Sequence, residues 1–242
     1  MPSQRRGTAR PVGRFIARWT GAVCFALALL QFAAGAAEAQ VITQFTAGIT
    51  GGASPVGITA GPDGNLWFTE FGGNRIGRIT PAGVVTEFSA GIASGASLTG
   101  ITAGTDGNLW FTETSASRIG RITPLGVVTE FNAGITASAA PIDITLGPDN
   151  NLWFTETNGN RIGRITPAGV VTEYSAGITA SASPYGITLG PDGNVWFTET
   201  GGNRIGRITG GIVGAQPVLI SAKSRKVHGS AGTFDLPLWP VP

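Results

Sequence analysis

Trp67, Trp110, Trp153 and Trp196 stand 43 residues apart, and the residues around each are nearly the same. The first full copy runs from Gly61 to Phe88, GPDGNLWFTEFGGNRIGRITPAGVVTEF, and three more follow. The arginine pairs Arg75 and Arg78, Arg118 and Arg121, Arg161 and Arg164, and Arg204 and Arg207 keep the same step. A fixed period of this length specifies a repeat architecture, in which each unit buries its apolar faces against its neighbours.

Within one copy the pattern predicts short strands divided by turn signals, with no stretch of helical periodicity to compete. In the first repeat the strands are Val56 to Ala60, Asn65 to Glu70, Arg75 to Thr80 and Val84 to Phe88. Pro62-Asp63-Gly64 and Pro81-Ala82-Gly83 make turns, and Phe71 to Asn74 a loop. Four antiparallel strands form one propeller blade. The expected fold is all-β: a β-propeller of four 43-residue repeats over residues 40–209, either a four-bladed ring or part of a larger propeller. The third copy carries Asn150 where the others have Gly64, Gly107 and Gly193, and Asn also tolerates left-handed backbone. A three-residue turn sets Val56 opposite Glu70 and Thr59 opposite Trp67. The next hairpin sets Trp67 opposite Arg78 and Glu70 opposite Arg75, which permits cation–π and ion-pair contacts.

Residues 1–39 read as a secretory signal peptide. Five arginines lead an apolar core from Ala22 to Phe32, too short to span a bilayer comfortably, and Ala37-Glu38-Ala39 offers a small-x-small cleavage site. The chain is then expected to be secreted or periplasmic, with no membrane association after cleavage. Removing the leader leaves 11 basic and 13 acidic residues, a net charge of −2 against +2 for the whole chain. No basic face is left that suits nucleic acid. Cys24 lies in the leader, so the mature chain has neither a disulfide nor a thiolate metal site.

Val41 to Gly48, VITQFTAG, aligns 43 residues upstream of Val84 to Gly91, VVTEFSAG. The fourth repeat loses that pattern after Thr209. The complementary loss predicts closure, with Val41 to Gly48 beside Arg204 to Thr209. An open arc, or a homodimer completing a larger ring, is the other arrangement. Residues 210–242 form a tail with no repeat signature. It resembles the opening of a C-terminal β-sandwich module of secreted bacterial proteins, cut short, and Pro217 onward is expected to lack order.

The repeat PxGIT, GPDGNLWFTE, GNRIGRIT and VTEF resembles that of the virginiamycin B (streptogramin B) lyases, seven-bladed propellers whose activity confers antibiotic resistance. The resemblance implies Mg²⁺-dependent opening of a cyclic depsipeptide by elimination, in which a His removes the α-proton while the metal polarises the ester. It places the family's His just before Gly-Ile on the inner strand, and an acidic metal ligand at the Glu of WFTE. Here the His positions hold Val56, Thr99, Ile142 and Tyr185. The Glu positions hold Glu70, Glu113, Glu156 and Glu199, which are either a carboxylate ring for Mg²⁺ or structural partners of the arginines.

Two further residues are candidate ligand contacts. Asp143 replaces the Gly57, Gly100 and Gly186 of the other copies, and Tyr185 offers a phenol. The single His, His228, lies in the tail. The function these residues point to is that of a non-catalytic exported propeller, binding a small-molecule or peptide ligand on its loop face. The alternative is a Mg²⁺-dependent virginiamycin B lyase-like enzyme.

Overall fold

A computed structural model describes residues 40–209 and, as backbone, a hairpin further on. Each repeat forms its own antiparallel sheet, strands in chain order. Blade one holds β1 (Pro55–Ala60), β2 (Leu66–Glu70), β3 (Arg75–Ile79) and β4 (Val85–Phe88). Blade two holds β5 (Leu98–Ala103), β6 (Leu109–Glu113), β7 (Arg118–Ile122) and β8 (Val128–Phe131). Blade three holds β9 (Pro141–Leu146), β10 (Leu152–Glu156), β11 (Arg161–Ile165) and β12 (Val171–Tyr174). Blade four has three strands among the described residues, β13 (Pro184–Leu189), β14 (Val195–Glu199) and β15 (Arg204–Ile208). In the tail, β16 (Arg225–Gly229) pairs with β17 (Gly232–Leu236). The leader, and any order or disorder after Thr209 beyond that hairpin, lie outside the described residues.

The turn chemistry works as the repeats imply. Gly64, Gly107 and Gly193 take φ of 75°, 75° and 72°, and Asn150 takes 60°. The turn Asp also serves the core. Asp63 accepts from the Trp67 indole Nε1 at 2.9 Å, satisfying the only polar atom of a buried ring. The Arg78 guanidinium lies 5.6 Å from the Trp67 ring and 5.5 Å from Phe88, and the two rings stack at 5.5 Å. Blades two and three repeat the stack with Arg121, Trp110 and Phe131, and with Arg164, Trp153 and Tyr174.

The core lies between blades. Each junction buries the Trp and first Ile of one blade against the inner-strand Ile, the LWFTE or VWFTE residues and the last Ile of the next. Trp67 and Ile76 meet Ile101, Leu109, Phe111 and Ile122. Trp110 and Ile119 meet Ile144, Leu152, Phe154 and Ile165. Trp153 and Ile162 meet Ile187, Val195, Phe197 and Ile208. Both faces of an interior blade are therefore apolar, which explains the lack of a polar alternation in its strands.

The inner strands pack in series, β1 on β5, β5 on β9 and β9 on β13. Among the described residues the two ends stay open. Ile205 is 65% exposed where Ile76 and Ile119 are fully buried, and Leu66 is 45% exposed where Leu109 and Leu152 are fully buried. The four blades form an arc, not a closed ring.

The expected closure by Val41 to Gly48 is therefore corrected. That segment forms no strand and does not extend the β13–β15 sheet. Its end lies on blade one instead. Phe45 packs over Gly83 as Phe88 packs over Gly126, and Gly48 meets Val85 as Gly91 meets Val128. Thr50 donates from its backbone N, at 2.6 Å, and from its hydroxyl to the Glu87 carboxylate. The physical reason is that this sequence carries the contacts a blade makes with its successor, and its successor is blade one.

Candidate functional site

The innermost strand of every blade is interrupted at the site the resemblance singles out. Pro55 pairs with Glu70 and Ile58 with Phe68, so Val56 and Gly57 together face Thr69. The same bulge recurs in β5, β9 and β13. This corrects the expected Val56–Glu70 pairing while leaving Thr59 opposite Trp67, as expected. A bulge re-aims side chains and leaves backbone groups in need of partners.

The Thr of WFTE supplies them. Thr69 Oγ1 accepts from Gly57 N at 2.9 Å and donates to the Thr99 carbonyl of blade two at 2.6 Å. Thr112 accepts from Gly100 N and donates to the Ile142 carbonyl, both at 2.8 Å. Thr155 accepts from Asp143 N at 3.1 Å and donates to the Tyr185 carbonyl at 2.8 Å. One hydroxyl thus holds a bulge in its own blade and ties it to the next. Sequence pattern alone did not single out these threonines; their recurrence beside each buried Glu was the available signal. Gly57 has its own reason to lack a side chain, since a Cβ there would lie 2.5 Å from the Thr99 carbonyl oxygen.

At the bulge positions Val56 and Tyr185 are exposed and Thr99 and Ile142 half-buried. The Thr99 hydroxyl is consumed by Thr112, Thr114 and the Ile142 carbonyl, at 2.8, 2.9 and 2.7 Å. None of the four side chains is an imidazole.

Asp143 and Tyr185 come together at the junction of blades three and four. Asp143 Oδ1 accepts from its neighbour Ile144 N, and Oδ2 accepts from Ile187 N of β13, each at 2.9 Å. The carboxylate clamps β9 to β13, two residues from Tyr185. Burial raises its pKa, and those two amide bonds oppose the rise.

Glu70, Glu113 and Glu156 are fully buried, and Glu199 nearly so. Each faces the Arg across its hairpin: Glu70 pairs with Arg75, Glu113 with Arg118, Glu156 with Arg161 and Glu199 with Arg204. In blades one to three a second carboxylate stands beside that Arg. Arg75 lies 3.7 Å from Glu87 and 3.9 Å from Glu70, and Arg161 lies 3.4 Å from Glu173. The buried carboxyl oxygens of Glu70, Glu113 and Glu156 have no hydrogen-bond partner. Burial first, then the charge of Glu87, raises Glu70 to about 7. The same causes, with Glu130 and Glu173 as neighbours, raise Glu113 and Glu156 to about 8.

The four glutamates therefore sit one per blade. Among the described residues, no three His, Cys, Asp or Glu side chains converge in a group able to hold a metal ion. Mg²⁺ commonly takes one or two protein carboxylates and completes its shell with waters, so what this separation removes is a shared four-carboxylate ring.

The family model described as the virginiamycin B lyase family matches residues 35–240. The chain belongs to the virginiamycin B lyase family. A selenomethionine-substituted virginiamycin B lyase from Staphylococcus aureus is 46% identical, with a TM-score of 0.66 over 70% of this chain and 56% of that one. A catalytically inactive His-to-Ala virginiamycin B lyase from the same organism, with Quinupristin, is 46% identical, with a TM-score of 0.64 over 68% of this chain and 55% of that one. A streptogramin B lyase is 42% identical, with a TM-score of 0.63 over 67% of this chain and 53% of that one. The chain spans little more than half the length of these virginiamycin B lyases. No curated protein matches it.

Proposed function

We propose that this chain is a non-catalytic member of the virginiamycin B lyase family, exported, that binds a small-molecule or peptide ligand through the inner end of its blades. The observation that supports this most is the chemistry of the bulge. Val56, Thr99, Ile142 and Tyr185 occupy the positions where the family places a proton-abstracting His, and the chain's single His is in the tail. A positioned base contributes typically about 10²–10⁴ in rate. The solved relative that is catalytically inactive differs by one His-to-Ala change, which agrees with that weight.

Tyr185 is the proposed ligand contact. Its ring is exposed, while its carbonyl is fixed by Thr155 and the adjoining strand is fixed by Asp143. A fixed backbone carrying an exposed phenol suits stacking and hydrogen bonding at low ordering cost.

The lyase reading is favoured by the 42–46% identity to enzymes of that name. It would need a base from outside the described blades. Calorimetric titration of the purified chain with a streptogramin B depsipeptide, beside a ring-opening assay, separates the two. Binding without turnover, weakened by Tyr185→Ala, supports the proposal. Ring opening by the unmodified chain overturns it.

A further inference from the structure

The two ends of the arc carry opposite halves of one interface that this chain already makes three times. Blade four presents Trp196 and Ile205, the counterparts of Trp67 and Ile76. Trp196 is half-buried and Ile205 65% exposed, whereas Trp67 and Ile76 are fully buried under blade two. An apolar hollow of about 320 Å³ lies on this face, lined by Ile187, Trp196, Phe197 and Ile205 among others. Blade one presents Ile58, 64% exposed, and Leu66, the counterparts of Ile101 and Leu109, which are buried under blade one's own Trp face.

Unmet polar groups repeat the pattern. Thr69, Thr112 and Thr155 each donate to a carbonyl of the following blade. Thr198 accepts from Gly186 N at 2.9 Å, but its side chain is exposed and faces no following blade among the described residues. The matching acceptor, by position, is the Val56 carbonyl.

A third observation concerns the outer edge of blade four, which has three strands among the described residues. Beside β15 lies a cleft of about 660 Å³ lined by Trp153, Tyr174, Phe197, Arg207 and Ile208 among others, on the side where β4, β8 and β12 complete their blades. At the other end of the arc, Phe45 and Gly48 hold the places on blade one that Phe88 and Gly91 hold on blade two. By its sequence, the stretch Val41 to Phe45 matches the outer strand of a blade that would precede blade one.

We infer that a second copy of this chain docks head to tail, its blade one on blade four of the first, and donates Val41 to Phe45 as the fourth strand of that blade. All three observations then have one occupant. Ile205 and Trp196 meet Ile58 and Leu66 of the second copy, Thr198 donates to its Val56 carbonyl, and its VITQF segment pairs with β15. The contact is heterologous, each copy using two different faces. Two copies meeting at both ends make an eight-bladed ring, within the range of known propellers.

The heterologous geometry gives a sharp test. The full chain should sediment as a dimer at about 20 µM, an order-of-magnitude working concentration well above a micromolar Kd. Ile58→Asp blocks one face and Ile205→Asp the other; both sites are on the surface, so each variant should keep its circular dichroism and sediment as a monomer. Mixed in equal amounts, the two variants should form a one-to-one heterodimer, because each retains the face the other lacks. Amide exchange along β15 of the Ile58→Asp copy, which keeps the blade-four face, should slow in that heterodimer relative to the Ile58→Asp monomer. A monomeric unmodified chain, a failure of the mixed variants to associate, or unchanged β15 exchange in the mixture would each overturn the inference.

Discussion

Thr112 Oγ1 donates to the Ile142 carbonyl at 2.8 Å, so the second blade fixes the backbone of the third at the residue where the family places its base. The same hydroxyl accepts from Gly100 N within its own blade. Replacing it with an isosteric Val should leave the buried Gly100 N–H unsatisfied and the Ile142 carbonyl with the Thr99 hydroxyl as its side-chain donor. Thr112→Val should therefore cost about 1–3 kcal/mol in urea unfolding, while Thr198→Val, at the open end, should cost clearly less. Equal losses at the two sites would mean the bridge between blades contributes nothing measurable.

The tryptophans divide in the same way. Trp110 is fully buried between blades two and three, and Trp196 is half-buried. Trp110→Ala should cost about 3–5 kcal/mol, near the upper range for core truncations. Trp196→Ala should cost less in a monomeric chain. Thermal melts of both variants check this, and a stable Trp110→Ala that lost only ligand binding would contradict the packing role.

Acidity should matter with a definite sign. Glu113 and Glu156 are raised to about 8 and Glu70 to about 7, mainly by burial, against an ordinary value of 4.5. In the window from about 4.5 to 8 the folded chain holds more protons than the unfolded one, so stability falls as pH rises through it. Asp63, Asp149, Glu87 and Glu173 are lowered, and their contribution is lost in acid instead. The melting temperature should therefore be highest on the mildly acidic side and decline toward about pH 8.5. Glu113→Gln should flatten that decline, because a neutral amide in this pocket no longer titrates. A stability profile that rises from about pH 5.5 to about 8.5 would refute the assignment.

Most of the fold was legible in the repeat, because four copies within one chain constrain each other. Strand positions, the left-handed Asn150 and the Trp67–Arg78 pairing follow from turn chemistry and a period of two. The bulge at Val56 and Gly57 was not legible, because a turn fixes register only until a bulge interrupts it. Closure was misjudged for a related reason. Strand counting shows which strand each end lacks, whereas Phe45 over Gly83 shows which blade the segment actually packs on. Asp143 stood out in the sequence as a departure from Gly, but its bond to Ile187 N needed three dimensions. The glutamates, one per repeat, were visible in the sequence, while their burial with unpartnered oxygens needed the structure.

The most direct test of the central claim is ring opening of a streptogramin B depsipeptide by the purified chain, with Mg²⁺ present and absent. Elimination leaves the mass unchanged, so the product is followed by its chromatographic shift and new unsaturation. The account predicts no opening above background in either condition, with turnover emerging only if His is installed, as in the double variant Ile142→His and Tyr185→His. Mg²⁺-dependent opening by the unmodified chain, lost in Glu156→Gln, would contradict it.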